Sequence, residues 1–208
     1  MENNESGYVI MINKIIKEPS ILKNVFTAEE FEVIKNYLFS KPKEQNQFDP
    51  GFERYCFTDP IIDKYSEKLI PIAKKLFESE NLLPTYSLFA HYEGNNPSLY
   101  RHKDDNACTY TIDMCVYQSE PWALGVNHNN IDREYLLEEN EALVYYGNDQ
   151  EHWRGQFPNP NKQHVAMIFF HFVESDHWWY TKGPSYLDVV RGNKTEEAWA
   201  EEQEKYKK

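Results

Sequence analysis

The stretch that decides the fold is Tyr92-Glu-Gly-Asn-Asn-Pro-Ser-Leu-Tyr-Arg-His102-Lys-Asp104, read together with His152 further along the chain. Residues two apart on a β-strand project to the same side, so His102 and Asp104 would present an imidazole and a carboxylate on one face. His152 would add a second imidazole from a distant strand. Both iron and zinc accept mixed nitrogen and oxygen ligands, so the stretch predicts a metal site without choosing the metal.

The composition indicates a folded, aromatic-rich chain. Its 208 residues include 15 Tyr, 12 Phe and 5 Trp, which is enough length for one domain with a sizeable core and favours strands. The formal net charge of −12 argues against a protein that tracks phosphate backbones, because such binding needs clustered Lys and Arg. We therefore expect no nucleic-acid partner.

The cysteines and the N-terminal residues indicate the cellular compartment of the protein. Cys56, Cys108 and Cys115 are odd in number and form no CxxC pair, so a reducing compartment is expected. The polar, acidic start does not fit a signal peptide, and no apolar run approaches the length of a membrane span. These features predict a cytoplasmic protein without membrane attachment.

Two helices are predicted in the N-terminal part. Thr27-Ala-Glu-Glu30 is a capping box followed by apolar residues at helical spacing, and that helix should end before Pro42. A second amphipathic helix is predicted from Pro60 to Phe77, with Pro71 as a point at which it can kink. The segment 43–58 between the helices is predicted to be irregular.

The rest of the chain has the texture of an antiparallel β protein. Short runs of aromatic and β-branched residues alternate with turn clusters, and they predict strands at 8–16, 85–92, 107–118, 122–126, 134–138, 141–147 and 164–174. Strands at this spacing imply a sandwich or barrel under the two helices, an α+β fold that is mainly β. We expect a single domain over 1–208, with helical support at 1–84, a β core at 85–174 and a C-terminal extension at 175–208 whose acidic end is a solvated helix.

The neighbours of the His-x-Asp pair add a series of motifs that extends over roughly residues 85–174. The series comprises Tyr92-x-Gly94-Asn95, Leu99, Arg101-His102-x-Asp104, the strand Thr109–Tyr117, Trp122-Ala-Leu-Gly125, Glu141-Ala-Leu-Val-Tyr-Tyr146, His152 and the strand 164–173. In this series the chain resembles the 2-oxoglutarate- and Fe(II)-dependent oxygenases, and among them the prolyl-4-hydroxylase-like group.

The resemblance implies a double-stranded β-helix, or jelly roll, with iron at one mouth. His102, Asp104 and His152 would be the iron ligands, and Tyr92 stands where the family often places a tyrosine that contacts the cosubstrate. 2-Oxoglutarate and dioxygen would be consumed, with release of succinate and CO2, to hydroxylate an unidentified peptide, amino acid or other small molecule. Asp104, where halogenating relatives have Gly or Ala, favours hydroxylation.

One position departs from the family pattern. The family places an Arg or Lys at the start of the last core strand, where it pairs with the far carboxylate of 2-oxoglutarate. In this chain His164 stands there, and Arg154 and Lys162 are the two nearby cations. All three remain candidates for the cosubstrate contact.

Two other functions remain open beside the oxygenase. A cupin-type metal enzyme would use the same ligands without 2-oxoglutarate, and a binding module would retain the fold without the chemistry. The other histidines are expected to be packing residues: His91, His128, His171 and His177.

Overall fold

The computed structural model describes residues 17–41, 47–49, 54–93, 97–159 and 164–206. The strand predicted at 8–16 lies outside these ranges, as do Gly94, Asn95 and Lys162. In the described part of the chain, none of the helices combines the length and the apolar character that a membrane span requires.

The two N-terminal helices form where the sequence predicts them. Helix α1 spans Ala28–Phe39, and Thr27 and Glu30 form the reciprocal capping box at its start. Helix α2 spans Pro60–Phe77, and the Asp59 side chain accepts a hydrogen bond of 2.8 Å from the Ile61 backbone N–H. Proline at the first helical position lacks only an N–H that would have no helical partner, so it helps to start the helix.

The described residues contain eleven strands in two sheets. They are β1 (Ser20–Lys23), β2 (Gln47–Asp49), β3 (Arg54–Phe57), β4 (Leu82–Glu93), β5 (Leu99–His102), β6 (Tyr110–Gln118), β7 (Leu124–His128), β8 (Ile131–Tyr135), β9 (Glu141–Tyr145), β10 (His152–Arg154) and β11 (His164–Glu174). The larger sheet has the order β1-β9-β6-β11-β4-β3-β2 and the smaller sheet β5-β10-β7-β8.

From β4 to β11 the chain passes back and forth between the two sheets, which is the topology of a jelly roll. The predicted fold class is therefore confirmed. The prediction missed β5 and β10, which are three or four residues long, and it was wrong to treat 43–58 as irregular, because β2 and β3 extend the larger sheet.

Strand β11 separates the two cores of the molecule. Its even-numbered residues from Ala166 to Phe172 pack toward the helices, where Phe170 meets Phe26 edge to face at 6.1 Å. Val165, Met167 and Phe169 point instead into the space between the sheets. The interior of the barrel is therefore walled by the odd-numbered face of this strand.

The C-terminal extension is helical. It contains α3 (Trp178–Thr181), α4 (Leu187–Val190) and α5 (Glu196–Tyr206). Helix α5 is rich in Glu and largely exposed, as the acidic composition of this end suggests.

Phe170 provides a test of the packing between helices and sheet. Phe170→Ala should lower the free energy of unfolding by about 3–5 kcal/mol, because the fully buried ring would leave a cavity that rigid neighbours fill only in part. Val33→Ala, on the exposed side of α1, is the control and should change stability by less than about 0.5 kcal/mol. Urea unfolding of both variants gives the comparison, and equal losses would contradict the assigned core.

Candidate metal centre

The pairing of β5 with β10 brings the two predicted histidine ligands together. His102 ends β5 and His152 begins β10, and the two residues are direct partners in the antiparallel register. Asp104 lies just beyond β5, with Oδ1 3.5 Å from Nε2 of each histidine. All three side chains of the predicted triad thus converge on one point.

Hydrogen bonds to the backbone orient both imidazoles in the same way. His102 Nδ1 lies 2.8 Å from the carbonyl oxygen of Tyr100, and His152 Nδ1 lies 3.1 Å from that of Gln150. Because a carbonyl can only accept, Nδ1 carries the proton in each ring and Nε2 carries the lone pair. Both lone pairs belong to the nitrogens that face Asp104, which is the arrangement that metal-ligating histidines adopt.

The carboxylate between the imidazoles is strongly held in its charged form. Burial by itself would raise the pKa of Asp104, but the charge of protonated His152 and the hydrogen bonds from His152 and His102 hold that pKa well below the ordinary range. The backbone N–H of Asp104 donates to the Gly147 carbonyl at 2.9 Å, which fixes the loop after β5. A bound cation would take the place of the Nε2 protons, so the site can offer it one negative charge and two neutral nitrogens.

Gly147 is required by the close approach of its backbone to this carboxylate. A Cβ added at Gly147 would lie 2.5 Å from Asp104 Oδ2 and 2.6 Å from both the Cys108 carbonyl oxygen and Thr111 Oγ1. Real Cβ atoms are not found at such distances, and two of the three neighbours belong to ordered backbone or to the candidate ligand. The backbone of the turn after β9 thus packs directly against the Asp104 carboxylate and helps to fix its position.

A cavity of about 300 Å³ opens next to the triad. Its wall includes residues for which the sequence predicted no role in the site: Arg54, Tyr86, Cys108, Asp113, Tyr145, His171 and Arg191. Asp113, Tyr145 and His171 belong to strands of the motif series, and the other four lie in no recognisable motif. Some of these polar side chains are on inward-facing positions of a strand, and the others belong to segments that are distant in sequence. Neither feature identifies a site residue from sequence alone.

His171 corrects one of the predictions, because it faces this cavity. The residue is 5% exposed, neither ring nitrogen hydrogen bonds within the described residues, and burial lowers the pKa of the imidazole to about 4. His171, Cys108 and Asp104 have ligand atoms within 4.8 Å of one another. Since Asp104 belongs to both groups, these residues extend the triad and do not form a separate site.

Asp113 lies deeper in the barrel, on β6. It is 4% exposed, and its Oδ2 accepts a hydrogen bond of 2.8 Å from the Tyr145 hydroxyl, while Oδ1 has no hydrogen-bond partner in the described residues. Burial raises the pKa of this carboxyl to about 7. A buried carboxyl with one unsatisfied oxygen is unusual and marks a place where a further partner is expected.

Of the predicted cosubstrate residues, Tyr92 and Arg154 lie together in the barrel interior. Tyr92 is fully buried, and its hydroxyl accepts a hydrogen bond of 3.1 Å from Arg54. Arg154 is 4% exposed, lies with its guanidinium 4.8 Å from the centre of the Trp122 ring, and donates to the Trp122 carbonyl. Burial lowers the pKa of Arg154, yet no carboxylate in the described residues lies within salt-bridge distance of it.

His164 is not brought to the barrel interior, which corrects the third candidate. Its ring lies on the helix side of the larger sheet, 4.8 Å from the ring of His91 and 5.9 Å from that of Phe39. The even-numbered face of β11 explains this, because His164 shares it with Ala166 and Ile168. Lys162 lies outside the described residues.

Solved structures share this arrangement of strands, although neither a family model nor a curated sequence matches the chain. A prolyl-4-hydroxylase from Pseudomonas putida superposes with a TM-score of 0.61 at 12% identity, over 75% of this chain and 92% of its own. A 2OG-Fe(II) oxygenase family oxidoreductase from Burkholderia pseudomallei gives 0.60 at 9%, over 74% and 83%. HygX from Streptomyces hygroscopicus, solved with nickel and 2-oxoglutarate, gives 0.58 at 10%, over 76% and 83%.

The chain has the fold of the 2OG-Fe(II) oxygenases. At these identities the likeness establishes the fold alone, and the resemblance predicted from the motifs is confirmed at that level. What the oxygenase fold does in this chain has to be argued from its own residues.

Gly147→Ala tests whether the approach of the turn supports metal binding. The added Cβ should displace the Asp104 carboxylate and weaken Fe(II) or Ni(II) binding by roughly 10–100-fold, the usual range for outer-shell changes. Gly155→Ala is the matched control, because its Cβ would meet nothing within 4 Å. Anaerobic metal titration of both folded variants gives the measurement, and unchanged affinity in Gly147→Ala would contradict the assignment.

Proposed function

We propose that the protein is a non-haem Fe(II)- and 2-oxoglutarate-dependent dioxygenase that hydroxylates a peptide, amino acid or small-molecule substrate. The observation that carries the proposal is the convergence of His102, Asp104 and His152 at the mouth of a jelly roll. Arg154, a buried cation with no carboxylate partner among the described residues, lies on the same strand as His152.

The triad fits iron by donor type and by charge. Two imidazole nitrogens and one carboxylate are the donor set that non-haem Fe(II) oxygenases use, and His102, Asp104 and His152 would hold the ion from one side. Fe(II) bound to Asp104 would carry a net charge of about +1, which suits chelation of an anionic cosubstrate. When bound, Fe(II) with 2-oxoglutarate and dioxygen supplies the oxidising chemistry, and the chain's own residues hold and orient these groups.

Arg154 fits the far carboxylate of the cosubstrate. His152 and Arg154 are two residues apart on β10 and both are buried, with an irregularity in the pairing to β5 between them. A five-carbon dicarboxylate held at the triad would extend along this strand toward the guanidinium. A buried guanidinium is costly without an anionic partner, and bound 2-oxoglutarate would provide one.

Tyr92 lies near Arg154, at the end of the proposed site that would hold the far carboxylate of 2-oxoglutarate. Its buried ring lies edge to face with Trp122 at 5.1 Å, and its hydroxyl is held by Arg54. Arg54 also lines the cavity. We propose that Tyr92 and Arg154 together define the closed end of the cosubstrate pocket, with Arg54 beside them.

The size of the cavity constrains the substrate. About 300 Å³ is at the lower end of the volumes that enclose small ligands, so a small molecule or a single side chain of a peptide fits better than a large rigid substrate. Tyr100, Lys103 and Arg191 lie around the cavity and would meet that substrate first.

The primary test is anaerobic titration of the Fe(II)-loaded protein with 2-oxoglutarate. We expect the weak visible charge-transfer band of the chelate. His152→Ala and Asp104→Ala should lose both bound iron and the band, whereas His177→Ala, which removes a histidine from the start of α3, should retain them. A protein that binds iron but never shows the band would refute the cosubstrate assignment.

Arg154→Leu tests the anchor. Loss of a charge-assisted contact should cost about 1.5–3 kcal/mol, which corresponds to 10–100-fold weaker 2-oxoglutarate binding with unchanged metal content. Arg133→Leu, on the exposed face of β8, is the control and should leave binding unchanged. A larger effect of Arg54→Leu than of Arg154→Leu would move the carboxylate contact to the other side of Tyr92.

A metal-dependent enzyme that does not use 2-oxoglutarate is the second candidate, and one observation favours it. Asp113 places a carboxyl inside the barrel, where a charged form would repel a dianion. Succinate formation separates the two candidates, because only the first consumes 2-oxoglutarate.

A further inference from the structure

The position of Asp113 along β6 places it between the two ends of the proposed cosubstrate pocket. Thr111, two residues before Asp113, lies beside Gly147 at the level of the triad. Cys115, two residues after it, pairs with Met167, whose sulfur accepts a hydrogen bond of 3.6 Å from Arg154. Inward-facing residues follow one another every two positions, so Asp113 is one step below the metal centre and one step above the level of Arg154.

The surroundings of Asp113 favour its neutral form. Tyr145 donates to Oδ2, but no donor reaches Oδ1 and no cation lies within salt-bridge distance in the described residues. The titratable groups that influence it are Tyr145 on β9, His152 and Arg154 on β10, and Asp104 beyond β5. Burial is the largest influence on this carboxyl and raises its pKa, as does the negative charge of Asp104. His152, the Tyr145 hydrogen bond and Arg154 lower the pKa, but burial outweighs them.

A neutral carboxyl changes what this residue can do. An ionised Asp only accepts hydrogen bonds and would meet 2-oxoglutarate as a like charge, whereas a protonated Asp has one O–H to donate. With Oδ2 occupied by the Tyr145 hydroxyl, that proton belongs on Oδ1, the oxygen that has no partner in the described residues. Asp113 is part of the cavity wall, so Oδ1 is the atom from which it would donate to a ligand there.

We propose that Asp113, whose Oδ2 is occupied by the Tyr145 hydroxyl, donates a hydrogen bond from a protonated Oδ1 to an oxygen of bound 2-oxoglutarate and so acts as a positioning residue. This inference rests on the proposed function. It resolves the electrostatic objection to that function, because the same side chain that would repel the dianion as a carboxylate attracts it as an acid.

The test compares an isostere that keeps the donor with variants that lose it. Asp113→Asn has the same shape and can donate from its amide to a ligand oxygen, whereas Asp113→Leu cannot. We expect 2-oxoglutarate binding to Asp113→Asn to remain within about threefold of the unsubstituted protein, and binding to Asp113→Leu to weaken by about tenfold or more. Asp113→Ala serves if the leucine variant does not fold.

Binding is measured on Fe(II)-loaded protein without oxygen by the charge-transfer band, and on Ni(II)-loaded protein by calorimetry. Metal content and thermal unfolding are recorded for each variant. Asp63→Asn is the control for loss of a carboxyl from the interior, because Asp63 on α2 accepts from the Ser87 backbone N–H far from the cavity. It should leave 2-oxoglutarate affinity unchanged.

The outcomes separate this inference from the function on which it rests. If the unsubstituted protein does not bind 2-oxoglutarate, the proposed function fails. If it binds and Asp113→Leu binds as tightly or more tightly, Asp113 repels or ignores the ligand and the inference fails. If Asp113→Asn weakens binding as much as Asp113→Leu, keeping a donor does not preserve binding and the inference also fails.

Discussion

The site depends on the pairing of two very short strands. Strand β5 ends at His102 and β10 begins at His152, and the antiparallel register places these residues opposite each other. A slip of one residue would turn both side chains to the other face of the sheet and separate the imidazoles from Asp104. The three-residue length of β10 leaves little pairing to hold this register, so neighbouring strands must hold it. His152 also pairs with Val126 on β7, and Trp153 packs over Gly125, where a Cβ would come within 2.3 Å of its ring.

The barrel interior contains polar groups of opposite charge. Asp104 and Asp113 line the cavity together with apolar residues such as Leu99 and Phe169, and Arg154 is buried behind the cavity wall, where it contacts Met167. Burying several charged or polar groups close together costs free energy unless each has a hydrogen-bond or ion-pair partner. Within the described residues, the protein satisfies Asp104 by imidazoles and half of Asp113 by Tyr145. The remaining demands, an acceptor for Asp113 and an anion for Arg154, are complementary to a single elongated dicarboxylate.

The sequence predicted the parts of this molecule that are encoded locally. The capping box at Thr27 and the aspartate–proline start of α2 depend on residues within one helical turn, and both helices begin where these signals stand. The His-x-Asp spacing is equally local. Strands β5 and β10 were missed because three or four residues are too few for periodicity to register, although they carry two of the three candidate ligands. The residues of the cavity wall were missed for another reason: Asp113 is the one charged residue of a mainly apolar strand, and only the fold shows that it lines the cavity.

The position of the buried cation shows why motif and geometry must be combined. A cation at the start of β11 would reach the barrel interior only from the odd-numbered face, where this chain has Val165 and Met167. His164, which sequence spacing favours, has the wrong parity and packs with His91 beneath α1. Arg154 approaches the same region from the adjacent strand β10 and contacts Met167 directly. The ligand carboxylate requires a cation at one place in the barrel interior. A neighbouring strand can supply that cation, and its position in the sequence then differs from the one that the motif spacing predicts. The Arg154 guanidinium lies against the Trp122 ring and the residue is almost fully buried, so its charge is available to a ligand inside the barrel and not to solvent.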